Sequence, residues 1–237
     1  MSLAKVWTAA AACLLALGAC ASNGAESEAA TSGARAAPPA GDWASWGRTP
    51  DGHNFSPLTQ INRDTVSRLA PAWRFALAPG LSMPTPLVRD GVMFLHTAPD
   101  TLLALDAASG RELWRHVHTP TGASSMKMGV GLSDGRVFAP TSDLHVLALD
   151  ARTGAKLWDQ PIALSPWASD RTVFNLRSAP LVAGDKIIQG VTASAGPSGG
   201  FIVALDIDTG AEVWRFHTTA RPDGPGGSTW NGLPVEK

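Results

Sequence analysis

The chain has 237 residues, 44% of them hydrophobic and 16% charged, with a formal net charge of −1 at pH 7. That composition supplies a buried core and excludes a disordered chain. The near-neutral balance, with no local cluster of Lys and Arg, also excludes a nucleic-acid partner.

Residues 1–20 read as a signal peptide. Lys5 gives a short positive start, and residues 6–19 form an almost unbroken apolar run. The run is short for a membrane span, which needs about 20 apolar residues. It closes on Leu17-Gly18-Ala19-Cys20, which is similar to a bacterial lipobox, with small residues ahead of a cysteine that takes the lipid. The competing reading is ordinary cleavage near Ala21 with no lipid. The expectation is export to the periplasm, with Cys20 as the lipid-attachment site anchoring the chain to the outer membrane. Any membrane contact would then run through that N-terminal lipid. The only two cysteines are Cys13 and Cys20, so beyond the leader no disulfide, thiolate metal site or cysteine nucleophile is expected. Residues 21–41, rich in Ala, Ser, Gly and Pro, read as a flexible linker. Residues 42–237 read as the folded part.

Internal repetition governs that folded part. Ala104-Leu105-Asp106 leads through Ser109-Gly110 to Leu113-Trp114. Ala148-Leu149-Asp150 leads through Thr153-Gly154 to Leu157-Trp158, and Ala204-Leu205-Asp206 through Thr209-Gly210 to Val213-Trp214. The tryptophans lie 44 and 56 residues apart, close to the period of propeller blades. Each copy reads as an apolar strand, a turn held by the Asp carboxylate, a Gly free to take positive φ, and a strand that delivers a Trp. Once per repeat, that indole is placed to pack on the neighbouring blade. Ahead of each copy a hairpin is predicted, with turns at Asp90-Gly91, at Ser133-Asp134-Gly135 and at Ala183-Gly184-Asp185. Four strands per unit make a propeller blade. The fold class is therefore all-β: a β-propeller of four-stranded blades, with about three blades present. Upstream, Trp73-Arg74-Phe75 echoes Trp214-Arg215-Phe216 without the Asp/Gly turn, and reads as a lone outer strand. Three blades and one strand do not close a ring, so the propeller is expected to be incomplete in this chain.

Candidate chemistry is sparse. Asp106, Asp150 and Asp206 recur at one repeat position, which points to a structural turn rather than catalysis. His116 and His118 share a strand face, yet no third ligand is evident, and surface histidines are the expectation. Ser124 and Ser125 have no nucleophile elbow around them, and the glycines between 190 and 200 precede no helix. Trp167 and Trp230 are expected in loops.

The repeat resembles the tryptophan-docking motif of the quinoprotein alcohol and glucose dehydrogenases, eight-bladed propellers that use pyrroloquinoline quinone (PQQ). The lead-in resembles the stretch before their first blade: Trp46-Gly47-Arg48-Thr49-Pro50-Asp51-Gly52-His53-Asn54-Phe55-Ser56-Pro57-Leu58, then Gln60-Ile61-Asn62, Val66, Leu69 and Trp73-Arg74-Phe75. The resemblance covers the N-terminal portion of a typical member. It implies hydride transfer from an alcohol or aldose to PQQ, a bound calcium ion, and a periplasmic or membrane electron acceptor. The family's quinone-contacting Glu and Arg fall at Met83 and Met128 here, and its calcium-ligating Glu at Ala195. Lys127 stands beside Met128, and strand alternation turns it to the opposite face. Ser178 matches a family Ser/Thr and is the one cofactor-binding residue carried over. The family's remaining site residues fall beyond Lys237, so no catalytic or metal residue is assigned and the chain is expected to be inactive alone. The alternative is a non-catalytic lipoprotein propeller that scaffolds protein assembly at the outer membrane.

Overall fold

The repeated turn chemistry builds the same sheet three times. The structure, a computed structural model, describes residues 38–49, 51–127, 129–164, 170–194, 199–220 and 226–230. Cys20, Trp167 and the whole of the predicted signal peptide lie outside them. Blade one is the antiparallel sheet of β1 (Leu87–Arg89), β2 (Val92–Thr97), β3 (Thr101–Asp106) and β4 (Glu112–Val117). Blade two follows with β5 (Gly131–Ser133), β6 (Arg136–Pro140), β7 (His145–Asp150) and β8 (Lys156–Pro161). In blade three the short β9 (Phe174–Asn175) precedes β10 (Leu181–Ala183), β11 (Lys186–Ala193), β12 (Phe201–Asp206) and β13 (Glu212–His217). Its order is β10-β11-β12-β13, and β9 extends it by pairing with the far end of β11.

The turns behave as their residues dictate. Asp90 and Gly91 both take positive φ, 50° and 75°, and so do Asp134 and Gly135, at 41° and 76°; that is the twist a two-residue hairpin needs. After β3, Asp106 Oδ1 accepts from the Ser109 amide at 2.8 Å and its hydroxyl at 2.7 Å. Asp150 holds Thr153 at 2.7 Å twice, and Asp206 holds Thr209 at 2.9 and 2.8 Å. The three aspartates are turn residues, as their recurrence implies. A bulge follows each turn: Ala104 faces Trp114 while Leu105 faces Glu112, leaving Leu113 as the extra residue. The same slip occurs before Trp158 and Trp214. Bulges re-aim side chains, and these swing the indoles out of their own sheets.

The indoles of the first two copies then dock on the next blade. Trp114 Nε1 donates to Ala151 O at 2.9 Å, and Trp158 Nε1 to Ile207 O at 3.2 Å. The rings lie so close to Gly154 and Gly210 that a Cβ there would meet them at 2.7 and 2.8 Å. Trp73 makes the same dock on blade one, donating to Ala107 O at 3.1 Å over Gly110. It does so from outside any described strand. A strand needs a paired neighbour, and none of the described residues pairs with it.

The core accordingly sits between blades. One apolar cluster, with Phe94, Leu102, Trp114, Val137 and Leu149, joins blades one and two. Another, with Phe138, Val146, Ile187, Val203 and Leu205, joins blades two and three. Upstream, Asp42 Oδ1 accepts from Asp90 N at 3.1 Å and Trp43 pairs with Val88. Trp230 closes a short 3-10 helix, Gly227–Trp230, rather than lying in irregular loop.

Candidate functional site

The inner strands β1, β5 and β10 begin at one end of the blades, and there their backbones converge. Gly129 sits between blades, so that a Cβ on it would lie 3.6 Å from Ala179 Cβ and 3.8 Å from Thr85 O. Two residues on, a Cβ on Gly131 would strike Pro180 O at 2.6 Å. Glycine is therefore required at 131 for close approach, and at 129 by its φ of +129°. The segment before β1 pairs in parallel with the one before β5, through Ser82 and Lys127. Of the positions at which the resemblance places cofactor contacts, Met83 and Ser178 are described, and both flank this convergence, the axis end.

Met83 stands there with 66% of its surface exposed and no charge to offer. Met128 and Ala195 lie outside the described residues. Ser178 is exposed and is held from behind by Gln189, a residue that is 0% exposed. Gln189 Nε2 donates to Ser178 Oγ at 3.2 Å, to Ser178 O at 3.3 Å and to Gly190 O at 2.9 Å. Its Oε1 is buried without a hydrogen-bond partner among the described residues.

The Lys127 side chain runs into a buried polar cluster. Its ammonium pairs with Asp100 and donates to Ser142 Oγ. His96 Nε2 lies 3.6 Å from Asp100 Oδ1, with both residues almost fully buried. Burial pushes the His96 imidazole below its usual pKa and leaves it neutral at pH 7. Burial also pushes the Lys127 ammonium down, against the pull of Asp100. For Asp100 burial works upward, yet hydrogen bonds from His96 and Lys127 outweigh it and hold the carboxyl below its usual value.

Farther from the axis, a second cluster ties blade one to blade two. His118 Nε2 meets Asp143 Oδ1 at 2.9 Å, and His145 Nδ1 meets Asp159 Oδ1 at 2.7 Å, with the two rings 5.9 Å apart. Burial would raise the Asp143 pKa, but bonds from Thr141, the Thr121 amide and His118 more than reverse it. His116 and His118 are half-buried and not surface residues, because β4 lies against the loop that precedes β7. No three His, Cys, Asp or Glu side chains among the described residues are grouped to hold a metal ion. The turns at the other ends of these strands border a cleft of about 290 Å³, bridged by Arg136 through Ile207 O at 2.8 Å and Asp208 Oδ1 at 2.7 Å.

Sequence reasoning missed the Asp100–Lys127 pair and Gln189. The signal was present only as polar residues inside apolar runs, His96 within Val-Met-Phe-Leu-His-Thr and Gln189 within Lys-Ile-Ile-Gln-Gly-Val.

Comparison with known proteins identifies relatives of this arrangement. Residues 43–233 match the family described as glucose/ethanol/alcohol dehydrogenase, beta-propeller domain, of the PQQ class. Quinohemoprotein alcohol dehydrogenase ADH IIB of Pseudomonas putida is 34% identical over 191 residues, covering 75% of this chain and 26% of that protein. Methanol dehydrogenase [cytochrome c] subunit 1 of Methylobacterium organophilum is 30% identical over 77% of this chain and 31% of its own length. Among solved structures, the quinohemoprotein alcohol dehydrogenase ADHIIG of P. putida HK5 superposes with a TM-score of 0.69 at 30% identity. It is matched over 80% of this chain and 29% of its own. The chain thus spans between a quarter and a third of the length of these relatives.

Proposed function

The chain belongs to the PQQ β-propeller family of glucose, ethanol and alcohol dehydrogenases, and from that premise we propose that it forms a three-blade sector of a ring that oxidises an alcohol or a sugar. The observation that carries this reading is Ser178, an exposed hydroxyl at the axis end braced by a fully buried amide. A neutral polar contact so held orients a bound group without charging it.

The residues described at the axis end do not complete a PQQ site. PQQ carries carboxylates that ask for cations, and the calcium ion implied by the family asks for carboxylate ligands. Met83 brings neither, and the charge of Lys127 is cancelled by Asp100. The charged contacts must therefore come from beyond the described residues, and no reaction step is assigned to this sector. Its role is to frame the site and to supply Ser178. The leader, read as a signal with Cys20 as lipid site, supports a periplasmic location, where the substrate would be a small alcohol or sugar and the electron acceptor periplasmic or in the membrane.

A chimera tests this. Residues 43–220 of this chain would replace the matching part of ADH IIB from P. putida, followed by loading with PQQ and calcium. Dye-linked oxidation of an alcohol or sugar is the expected result. A folded chimera that retains no PQQ would overturn the reading. It would favour instead the non-catalytic scaffold at the outer membrane, to which the uncharged positions at the axis end also conform.

A further inference from the structure

Lys127 is 1% exposed and Asp100 0%. Besides the Lys127 ammonium, Asp100 takes the Ser142 amide on Oδ2 at 3.1 Å, and its backbone carbonyl takes the His118 amide at 3.0 Å. One carboxylate in the turn between β2 and β3 thereby gathers groups from blade two and from the segment leading to it. The backbone of Lys127 makes a separate set of contacts. Its carbonyl accepts from the Met83 amide at 2.9 Å, and its own amide donates to Leu81 O at 3.3 Å. Ser82, its bridge partner, accepts on Oγ from the Ala98 amide at 2.9 Å, back in the same turn. Two irregular segments therefore cross at Lys127, joined by one isolated backbone bridge, and the side chains of Lys127, Asp100, Ser142 and Ser82 add the remaining contacts.

Stability alone does not account for the pair. Desolvating two charges is expensive, and a well-packed apolar pair of similar volume is often as stable or more so. What an apolar pair lacks is direction, since a charge-assisted hydrogen bond fixes the geometry of both partners. We propose that Lys127 is a positioning residue: its bond to Asp100 fixes the crossing of segment 81–83 with Lys127, and so sets where Met83 and Gly129 stand at the axis. The value of that placement rests on the reading of the axis end as a ligand site, whereas the placement itself can be measured without any ligand.

The measurement uses the full 237-residue chain as wild type, as Lys127→Met, and as the double variant Asp100→Leu/Lys127→Met. Thermal midpoints and amide hydrogen exchange by mass spectrometry are recorded for each. Lys127→Met alone should lower the midpoint, because it leaves a buried carboxylate unpaired. The double variant should return to within about 3 °C of wild type. Even so, peptides covering Leu81–Thr85 and Lys127–Gly131 should exchange about tenfold faster in it, while peptides covering the Trp158 dock keep their wild-type rate. Wild-type protection at the crossing in the double variant would overturn the proposal, and so would exchange that rises equally in every peptide. In the chimera, the double variant should lose PQQ more readily than its parent. A parent chimera that holds no PQQ would sink the proposed function and leave the exchange result standing.

Discussion

A glycine and an indole settle each junction between these blades. Gly154 takes φ +73° and lies under the Trp114 ring, whereas Gly91 takes φ +75° with open space where a Cβ would go. Gly91→Ala should therefore cost only the left-handed backbone term, about 1 kcal/mol. Gly154→Ala adds a clash in a packed interface and should cost about 3 kcal/mol in all. Urea unfolding of the two variants checks this, and equal losses would mean that the dock is not tight. Asp143 carries a second residue-level prediction, about pH. Its folded pKa is depressed, so the stability it contributes is present above the unfolded value near 4 and is lost as pH falls through the folded value. Asp143→Asn should melt below wild type at pH 7, and the gap should narrow between about pH 4 and pH 2. A gap that stays constant across that window would remove Asp143 as its source.

At the scale of elements, the outer strands differ in what they reach. Trp114 on β4 is 8% exposed, docked on blade two, while Trp214 on β13 is 44% exposed and donates to no acceptor among the described residues. Trp114→Ala should cost about 3–5 kcal/mol and Trp214→Ala about 1 kcal/mol by denaturant melts. Similar losses would show that Trp214 is already docked. The strands of the repeat were legible because Asp, Gly and Trp recur in phase, and each does local work that needs no knowledge of the whole. The pairing of β9 with β11 was not legible, since Phe174 and Asn175 stand outside the repeat. The dock of Trp73 on Gly110 was not legible, because Trp73 lacks the Asp/Gly turn that marks the other docking indoles. Only the folded chain brings Asp100 and Ser142 to meet Lys127.

At the scale of the molecule, the fold and the family were both readable, the first from the repeat and the second from the lead-in. The site was readable only in part. Ser178 could be carried over from the resemblance, but the buried Gln189 behind it arises from β11 running beside the start of β10, which no local pattern announces. Three blades that dock on one another through Trp, Gly and Asp make a rigid frame. At the end of that frame where a quinone would lie, they offer a braced hydroxyl and a cancelled charge. The proposed function has this frame contact a bound quinone through Ser178, with the charged contacts coming from beyond the described residues. Titration of the chimera with PQQ, followed by quenching of tryptophan fluorescence, tests it most directly. Saturable binding that Ser178→Ala weakens about tenfold, as loss of one hydrogen bond implies, is the predicted result. Binding that is indifferent to Ser178→Ala would contradict it.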